Sequence, residues 1–229
     1  MSTHQLSQNE LIKIVLIRTL LFIVIMVAVF FWPAGTFAFW EAWVYLGVVL
    51  VAMICFLIYF LKNDPELLER RMRTKEKETE QKLIIGIMTV CFLFIFLLPG
   101  FDKRFGWSDV PVLISIAAII VVLLGYGFVF LVLRENSYAS RIIEVEKDQK
   151  VISSGPYAIV RHPMYLGVLL MLLFTPLALG SYWAIIPAVL IIPVLVARIF
   201  NEEKILERDL EGYWEYMQNI KYRLIPGLW

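Results

Sequence analysis

The predicted fold class is all-α, a polytopic bundle of transmembrane helices with about six spans, including a C-terminal helical hairpin, followed by a cytosolic amphipathic helix. Three observations predict it. Of 229 residues, 60% are hydrophobic and only 18% are charged, whereas a soluble domain of this size carries about a quarter charged residues; mean hydropathy is +0.77. Apolar segments recur at about the 20 residues that a spanning helix needs. Basic residues gather in alternate connecting segments. The near balance of 21 Lys+Arg against 20 Asp+Glu excludes a basic nucleic-acid binder and a disordered chain. With two cysteines, a secreted disulfide scaffold is excluded as well.

The first span is Leu11 to Trp32; polar residues precede it, and Lys13 and Arg18 interrupt it, which argues against a cleavable signal peptide. Ala42 to Leu61, Leu83 to Phe101 and Val110 to Leu133 are the second, third and fourth. Between the second and third, Asp64 and Pro65 read as an N-cap with proline at the first helical position. Leu67, Leu68 and Met72 follow on one side of that short helix, which is expected to be a solvated connector at the interface. The stretch Pro163 to Phe200 is too long for one helix and is broken by Pro176, Gly180, Pro187 and Pro193. It reads as a hairpin turning near Leu179 to Tyr182, whose first arm covers roughly 26 Å, slightly short of the hydrocarbon core, so a short or bent arm, and with it five full spans plus a partial one, is the alternative to six. In the last segment Leu206, Leu210, Tyr213, Trp214 and Met217 oppose Lys204, Arg208, Glu211, Glu215 and Gln218, the pattern of an amphipathic helix.

Orientation follows from the basic residues. Lys62 to Lys82 holds seven, Arg134 to Arg161 five and Arg198 to Trp229 five, against none, two (Lys103 and Arg104) and none in the alternate segments. Both termini and the three basic segments are expected on the cytosolic face. Trp32, Trp40 and Trp43 flank the first outer loop as an aromatic belt. Cys55 and Cys91 read as buried apolar thiols, no metal site is predicted, and His4 in the polar tail carries no role. Gly125 and Gly127 are too close in sequence to form a helix-packing stripe.

Polar residues where apolar ones would suffice cluster in the last third. Ser153-Ser154-Gly155-Pro156-Tyr157 reads as a turn, and Arg161-His162-Pro163-Met164-Tyr165-Leu166-Gly167 opens a membrane helix. The free amides of that helix start would suit an anionic group of a ligand. Arg198 ends an apolar run and Glu202 follows one turn later, so the two share a face, either as an ion pair or as two groups addressing a ligand.

The combination of "VISSGPYAIVRHPMYLG" at 151–167, Arg198-Ile-Phe-Asn-Glu202-Glu203 and "YWEYMQNIKYRLIPGLW" resembles the isoprenylcysteine carboxyl methyltransferase family. The stretches "WPAGTFAFWEAW" and "NDPELLERRM" look like its bacterial-type members. The resemblance implies one integral membrane methyltransferase domain over 1–229, with four N-terminal spans in 1–133 and a cofactor-binding and catalytic region in 134–229. It implies S-adenosylmethionine as cofactor, contacted by Gln149, Lys150, Val151, Ile152, Tyr157, His162, Pro163, Met164, Tyr165 and Glu202. Arg198 matches the arginine that meets the acceptor carboxylate. The expected partners are a lipophilic acceptor and membrane lipid, without nucleic acid or an obligate protein partner.

Chemistry agrees with this assignment. A ligand that carries a sulfonium, an ammonium, a carboxylate and an aromatic base needs an acidic group, donors and apolar walls. A carboxylate acceptor is already deprotonated at neutral pH and needs no general base. An amine acceptor, as in phospholipid N-methyltransferases, needs one, and Arg198 would repel its ammonium. A nicotinamide-dependent membrane reductase shares a comparable RHPxYxG stretch, but the Glu202-Glu203 pair would face its phosphates. A non-enzymatic scaffold is the remaining alternative. The chain ends in Pro-Gly-Leu-Trp, without a C-terminal prenylation motif.

Overall fold

The computed structural model describes residues 7–73, 79–143, 145–146 and 148–229; His4 and the basic residues Lys75, Lys77 and Lys147 lie outside them. Among the described residues the regular structure is helical. Helix α1 (Gln8–Ala34) starts at a capping box, in which Ser7 Oγ accepts from the Glu10 amide and the Glu10 carboxylate accepts from the Ser7 amide. It ends at Gly35 in the left-handed region. Helices α2 (Trp40–Asn63), α4 (Thr79–Phe105), α5 (Val112–Glu135) and α7 (Ile185–Asp209) are, with α1, long and apolar enough to cross a membrane.

Their exposure carries the same message as their length. At most a third of each apolar window is buried within the bundle, and Leu20, Leu113 and Leu124 are each more than 60% exposed. Apolar surface on that scale is stable only against hydrocarbon, so the chain reads as a multi-pass integral membrane protein. Cys55 is exposed on this outer surface and Cys91 half-buried, which corrects the expectation of two buried thiols. In a bilayer, an apolar run does not require an interior position.

The hairpin forms as α6 (Pro163–Ala178) and α7, turning through Leu179 to Ala184 with Gly180 at φ 71°. At 16 residues, α6 rises about 24 Å, short of the roughly 30 Å hydrocarbon core. It packs closely on α5 through glycines: a Cβ on Gly167 would lie 2.6 Å from Val129 Cγ2, and one on Gly125 would lie 3.0 Å from the Gly167 carbonyl oxygen. Gly125 therefore has a packing partner, but on another helix rather than along its own.

The expected amphipathic helix is two pieces. Helix α7 stops at Asp209, Gly212 adopts φ 83°, and α8 (Tyr213–Asn219) starts after that break. The break folds Leu206, Leu210, Tyr213, Tyr216 and Met217 into one cluster, while Trp214 stays exposed.

Two polar ends cap the bundle. At one, Asp102 is 1% exposed and accepts from the Ser108 amide at 2.7 Å, Ser108 Oγ at 2.6 Å and Ser181 Oγ at 2.5 Å. This ties the α4–α5 loop to the hairpin turn, with Trp32, Trp40 and Trp43 exposed nearby in sequence to the α1–α2 loop. The other end gathers the three basic segments and α3 (Pro65–Met72). Helix α3 is more than the solvated connector expected. Leu67 and Leu68 are buried, Asp64 caps the Leu67 amide at 3.0 Å, and Arg70 and Arg73 both bond Glu146.

Candidate active site

At this basic end α7 places Arg198, Glu202 and Leu206 on one face, four residues apart, toward α6 and the segment before it. With Gln149, Lys150, Val151, Ile152, Tyr157, His162, Met164 and Tyr165 they line one cavity of about 110 Å³. Pro163 alone of the residues named from the resemblance does not line it; it occupies the first turn of α6, where a missing N–H costs nothing. Asn136, Tyr138, Ile142, Ile143, Tyr213 and Tyr216 also line the cavity, with Ala139, Ser140, Arg161 and Leu210. The first four precede the glycine turn and carry no distinctive pattern. The two tyrosines reach the cavity because of the break at Gly212.

Tyr165 joins the two charged groups of α7. Its Oη donates to Glu202 Oε2 at 2.5 Å and accepts from Arg198 Nε at 2.9 Å. Arg198, 9% exposed, also donates to the Arg141 carbonyl at 3.1 Å and to Gln81 Oε1 at 3.2 Å. Gln81 is fully buried at the start of α4 and donates to Asn201 at 2.8 Å. Helix α4, far away in sequence, thus helps to set the Arg198 rotamer.

Glu203 has a different task. One residue along a helix is a rotation of about 100°, which turns Glu203 away from the cavity and beneath the start of α6. There it accepts from Arg161 Nε at 2.7 Å and from Arg223 Nε at 2.8 Å, with His162 Nε2 at 3.2 Å. Arg161 also donates to the carbonyls of Ile220 and Lys221. The carbonyls of Tyr222 and Arg223 take the amides of Arg161 and His162 at 3.0 and 2.8 Å. The C-terminal segment therefore occupies donors at the entry to α6 that were expected to meet a ligand. It follows too that, of the Glu202-Glu203 pair, Glu202 lines the cavity and Glu203 does not, so the carboxylate argument against a phosphate-rich cofactor is half as strong as the paired sequence suggested.

The segment before α6 is held from both sides. Ser154 Oγ donates to Glu135 at 2.5 Å and Gly155 adopts φ 55° directly over the Glu135 side chain. The Tyr157 hydroxyl accepts from Asn136 at 3.1 Å, and its carbonyl accepts from Tyr216 Oη at 2.8 Å. Burial pushes the Tyr157 phenol up to about 12, against the lowering effect of the Asn136 bond. Burial also raises Tyr213 and Tyr216. These phenols are hydrogen-bond donors at neutral pH, not bases. Glu146 anchors the far side of the segment; burial opposes its ionisation, but the bonds from Arg73 and Arg70 prevail and hold its carboxyl below the usual range. Among the described residues no group of three or more His, Cys, Asp and Glu side chains could hold a metal ion.

A family model described as phospholipid methyltransferase matches residues 113–211, from the start of α5 to the break after α7. That family is of the same membrane methyltransferase superfamily as the isoprenylcysteine carboxyl methyltransferases. No curated protein matches the chain. The matched stretch contains Glu202, Arg198, Tyr165 and the glycine turn, and its similarity supports a membrane methyltransferase with S-adenosylmethionine as the implied methyl donor.

Proposed function

We propose that this chain methylates the carboxylate of a lipophilic, isoprenylcysteine-like acceptor at the cavity between the 149–152 segment, the start of α6 and α7. The observation that carries the reading is the placement of Arg198 and Glu202 on one face of α7, joined by Tyr165, in a single cavity. The donor set fits S-adenosylmethionine. Glu202 supplies the negative charge that a sulfonium or ammonium requires, protonated tyrosines and the polar groups of 149–152 supply hydrogen bonds, and Ile142, Ile143 and Leu206 supply apolar walls. When bound, the cofactor supplies an electrophilic methyl group on a sulfonium.

The chain's own residues bind, orient and exclude water. Arg198 directs an acceptor carboxylate toward the cavity by charge-assisted hydrogen bonding, and alignment of the reacting atoms at about 3 to 3.5 Å in a water-poor site provides the rate. A carboxylate needs no base to ionise it, in keeping with tyrosines that stay protonated. The three basic segments at this end favour a cytosolic site, with the acceptor arriving from the bilayer.

The match to the phospholipid methyltransferase model favours a second reading, methylation of a lipid amine. Its ammonium must lose a proton beside Arg198, which opposes binding of a cation. The test supplies radiolabelled S-adenosylmethionine with either an S-isoprenylated N-acylcysteine or phosphatidylethanolamine. Methyl label on the cysteine derivative that alkali releases as methanol supports the ester. Alkali-stable label on phosphatidylethanolamine alone replaces this reading with the amine.

A further inference from the structure

The segment that ties down the entry of α6 is not uniformly polar. After Tyr222 and Arg223, whose carbonyls hold the amides of Arg161 and His162, the chain turns through Leu224, Ile225, Pro226, Gly227 and Leu228 to Trp229. Leu224 is buried in the main apolar core, and Trp229 packs against that core. Leu228, by contrast, is 77% exposed, and Ile225 is exposed as well. Phe200 of α7, which touches Trp229, extends the same apolar face outward. A joined patch of this kind at the polar end of a bundle marks an interaction surface.

Its depth follows from α4 and α7. Phe200 and Trp229 meet edge to face with ring centroids 5.7 Å apart, and the Arg223 guanidinium lies 4.9 Å from the Phe200 ring centre and 5.5 Å from that of Trp229. Asn201, next to Phe200, accepts from Gln81 Nε2 at 2.8 Å. Leu83, two residues beyond Gln81, is exposed and opens the apolar run of α4. The turn therefore lies level with the point at which α4 and α7 pass between headgroups and hydrocarbon, the depth at which tryptophan and tyrosine gather. Its backbone suits that place. The Trp229 carbonyl oxygen accepts from the amides of Arg223, Leu224 and Ile225 at 3.0, 3.0 and 3.1 Å, and the Ile225 carbonyl accepts from those of Leu228 and Trp229 at 3.1 Å. Pro226 has no amide to satisfy. At the edge of hydrocarbon a non-helical turn is stable when its polar groups are paired internally; in water no such closure is required.

We propose that the 224–229 turn is seated in the leaflet at the basic end of the bundle, with Ile225 and Leu228 among the upper acyl chains, and that this seating steadies the entry of α6. The occupant of the exposed face is phospholipid rather than protein, because through Trp229 and Phe200 the face continues the bilayer-facing surface of α7. The carbonyls of Tyr222 and Arg223 hold the amides of Arg161 and His162, and the Arg223 side chain holds Glu203. One wall of the cavity is thus fastened from the membrane as well as from within the protein. The seating is independent of the chemistry proposed for the cavity.

The test uses the full chain carrying Cys55→Ala and Cys91→Ala, in nanodiscs of phosphatidylcholine and phosphatidylglycerol. An environment-sensitive fluorophore is attached at Leu228→Cys, at Glu215→Cys on the exposed side of α8 or at Leu124→Cys on the outer face of α5. Quenching by lipids spin-labelled high on the acyl chain, by lipids spin-labelled near its tip and by aqueous iodide is then compared. At 228 the high label should quench most and iodide little, whereas iodide should dominate at 215 and lipid quenchers at 124. Iodide quenching at 228 as complete as at 215 would overturn the proposal. Shielding of 228 from both iodide and lipid would overturn it too, in favour of a protein partner or a second copy. Unlabelled Leu228→Asp provides the second arm by hydrogen exchange in the same nanodiscs. Protection of the 161–162 amides should be lost in this variant while that of α5 stays as in wild type, which reports an intact bundle, and Leu228→Phe should keep wild-type protection at both. Unchanged protection of 161–162 in Leu228→Asp would overturn the link between the leaflet and the entry of α6.

Discussion

The two ends of the bundle solve the same problem, fastening loops across a membrane protein, with different chemistry. At the far end Asp102 is satisfied by two serines and a backbone amide, without a cation among its hydrogen bonds. At the basic end, guanidiniums do the fastening, around Glu203 and around Glu146. The difference teaches that charge at the basic end serves two purposes. Glu203 and Glu146 hold walls, whereas Glu202, Arg198 and Tyr165 face the space between them. Density of charge therefore does not separate the two sets; direction does, and it is what carries the proposal that Glu202, Arg198 and Tyr165 meet the ligands.

The largest expected effect of breaking this arrangement is at Glu203. Glu203→Ala strands Arg161 and Arg223, of which Arg161 is 7% exposed, and should cost about 3–5 kcal/mol. Thermal unfolding in detergent would show it, together with loss of cofactor binding because the entry to α6 is released. A wild-type melting curve for this variant would refute the clamp. Gly167→Ala comes next. Its Cβ would meet Val129 at 2.6 Å, and separating α5 from α6 should cost about 1–3 kcal/mol and weaken cofactor affinity through displacement of Tyr165. Asp102→Ala should cost a similar amount, about 1–3 kcal/mol, but leave cofactor affinity unchanged, since nothing at that end lines the cavity. Equal loss of affinity from Asp102→Ala and Gly167→Ala would erase the distinction between the two ends.

The smallest effect is one of pH. Because the Glu146 carboxyl is held below its usual range, its bonds to Arg70 and Arg73 stabilise the fold fully above the unfolded value, near about pH 4.3. That contribution is lost as pH falls through the lower folded value. Hydrogen-exchange protection of the 136–152 segment, measured against the intrinsic rate at each pH, should therefore fall below about pH 4 in wild type. In Glu146→Gln protection should be lower already at neutral pH and should change little with acid.

How much of this was legible in the sequence depends on the range of the interaction. Spans follow from hydropathy because a bilayer imposes length and apolarity residue by residue, and the hairpin follows from Gly180 and its flanking prolines. The start of α6 is marked by Pro163. Glu202 and Glu203 could not be separated, since neighbours on a helix differ by a rotation that acquires meaning only from what packs on each side. Gln81 was missed for a related reason: it reaches the site from a distant part of the chain. A polar glutamine at the mouth of an apolar span was a signal, but with no partner in sequence to give it a role. The break at Gly212 was hidden by an apolar stripe that runs in register across it, and the glycine's positive φ appears only in three dimensions.

The central claim is that Glu202 faces a bound cofactor while Glu203 holds the wall behind it. Calorimetric titration of S-adenosylhomocysteine into the detergent- or nanodisc-held protein tests it most directly, with NADPH in a parallel cell and Glu202→Gln as the partner sample. The account predicts binding of S-adenosylhomocysteine alone, and at least about tenfold weaker binding, or roughly 1.4 kcal/mol, in a Glu202→Gln protein that melts as wild type does. Binding of NADPH instead, or equal affinity in the two proteins, would contradict it.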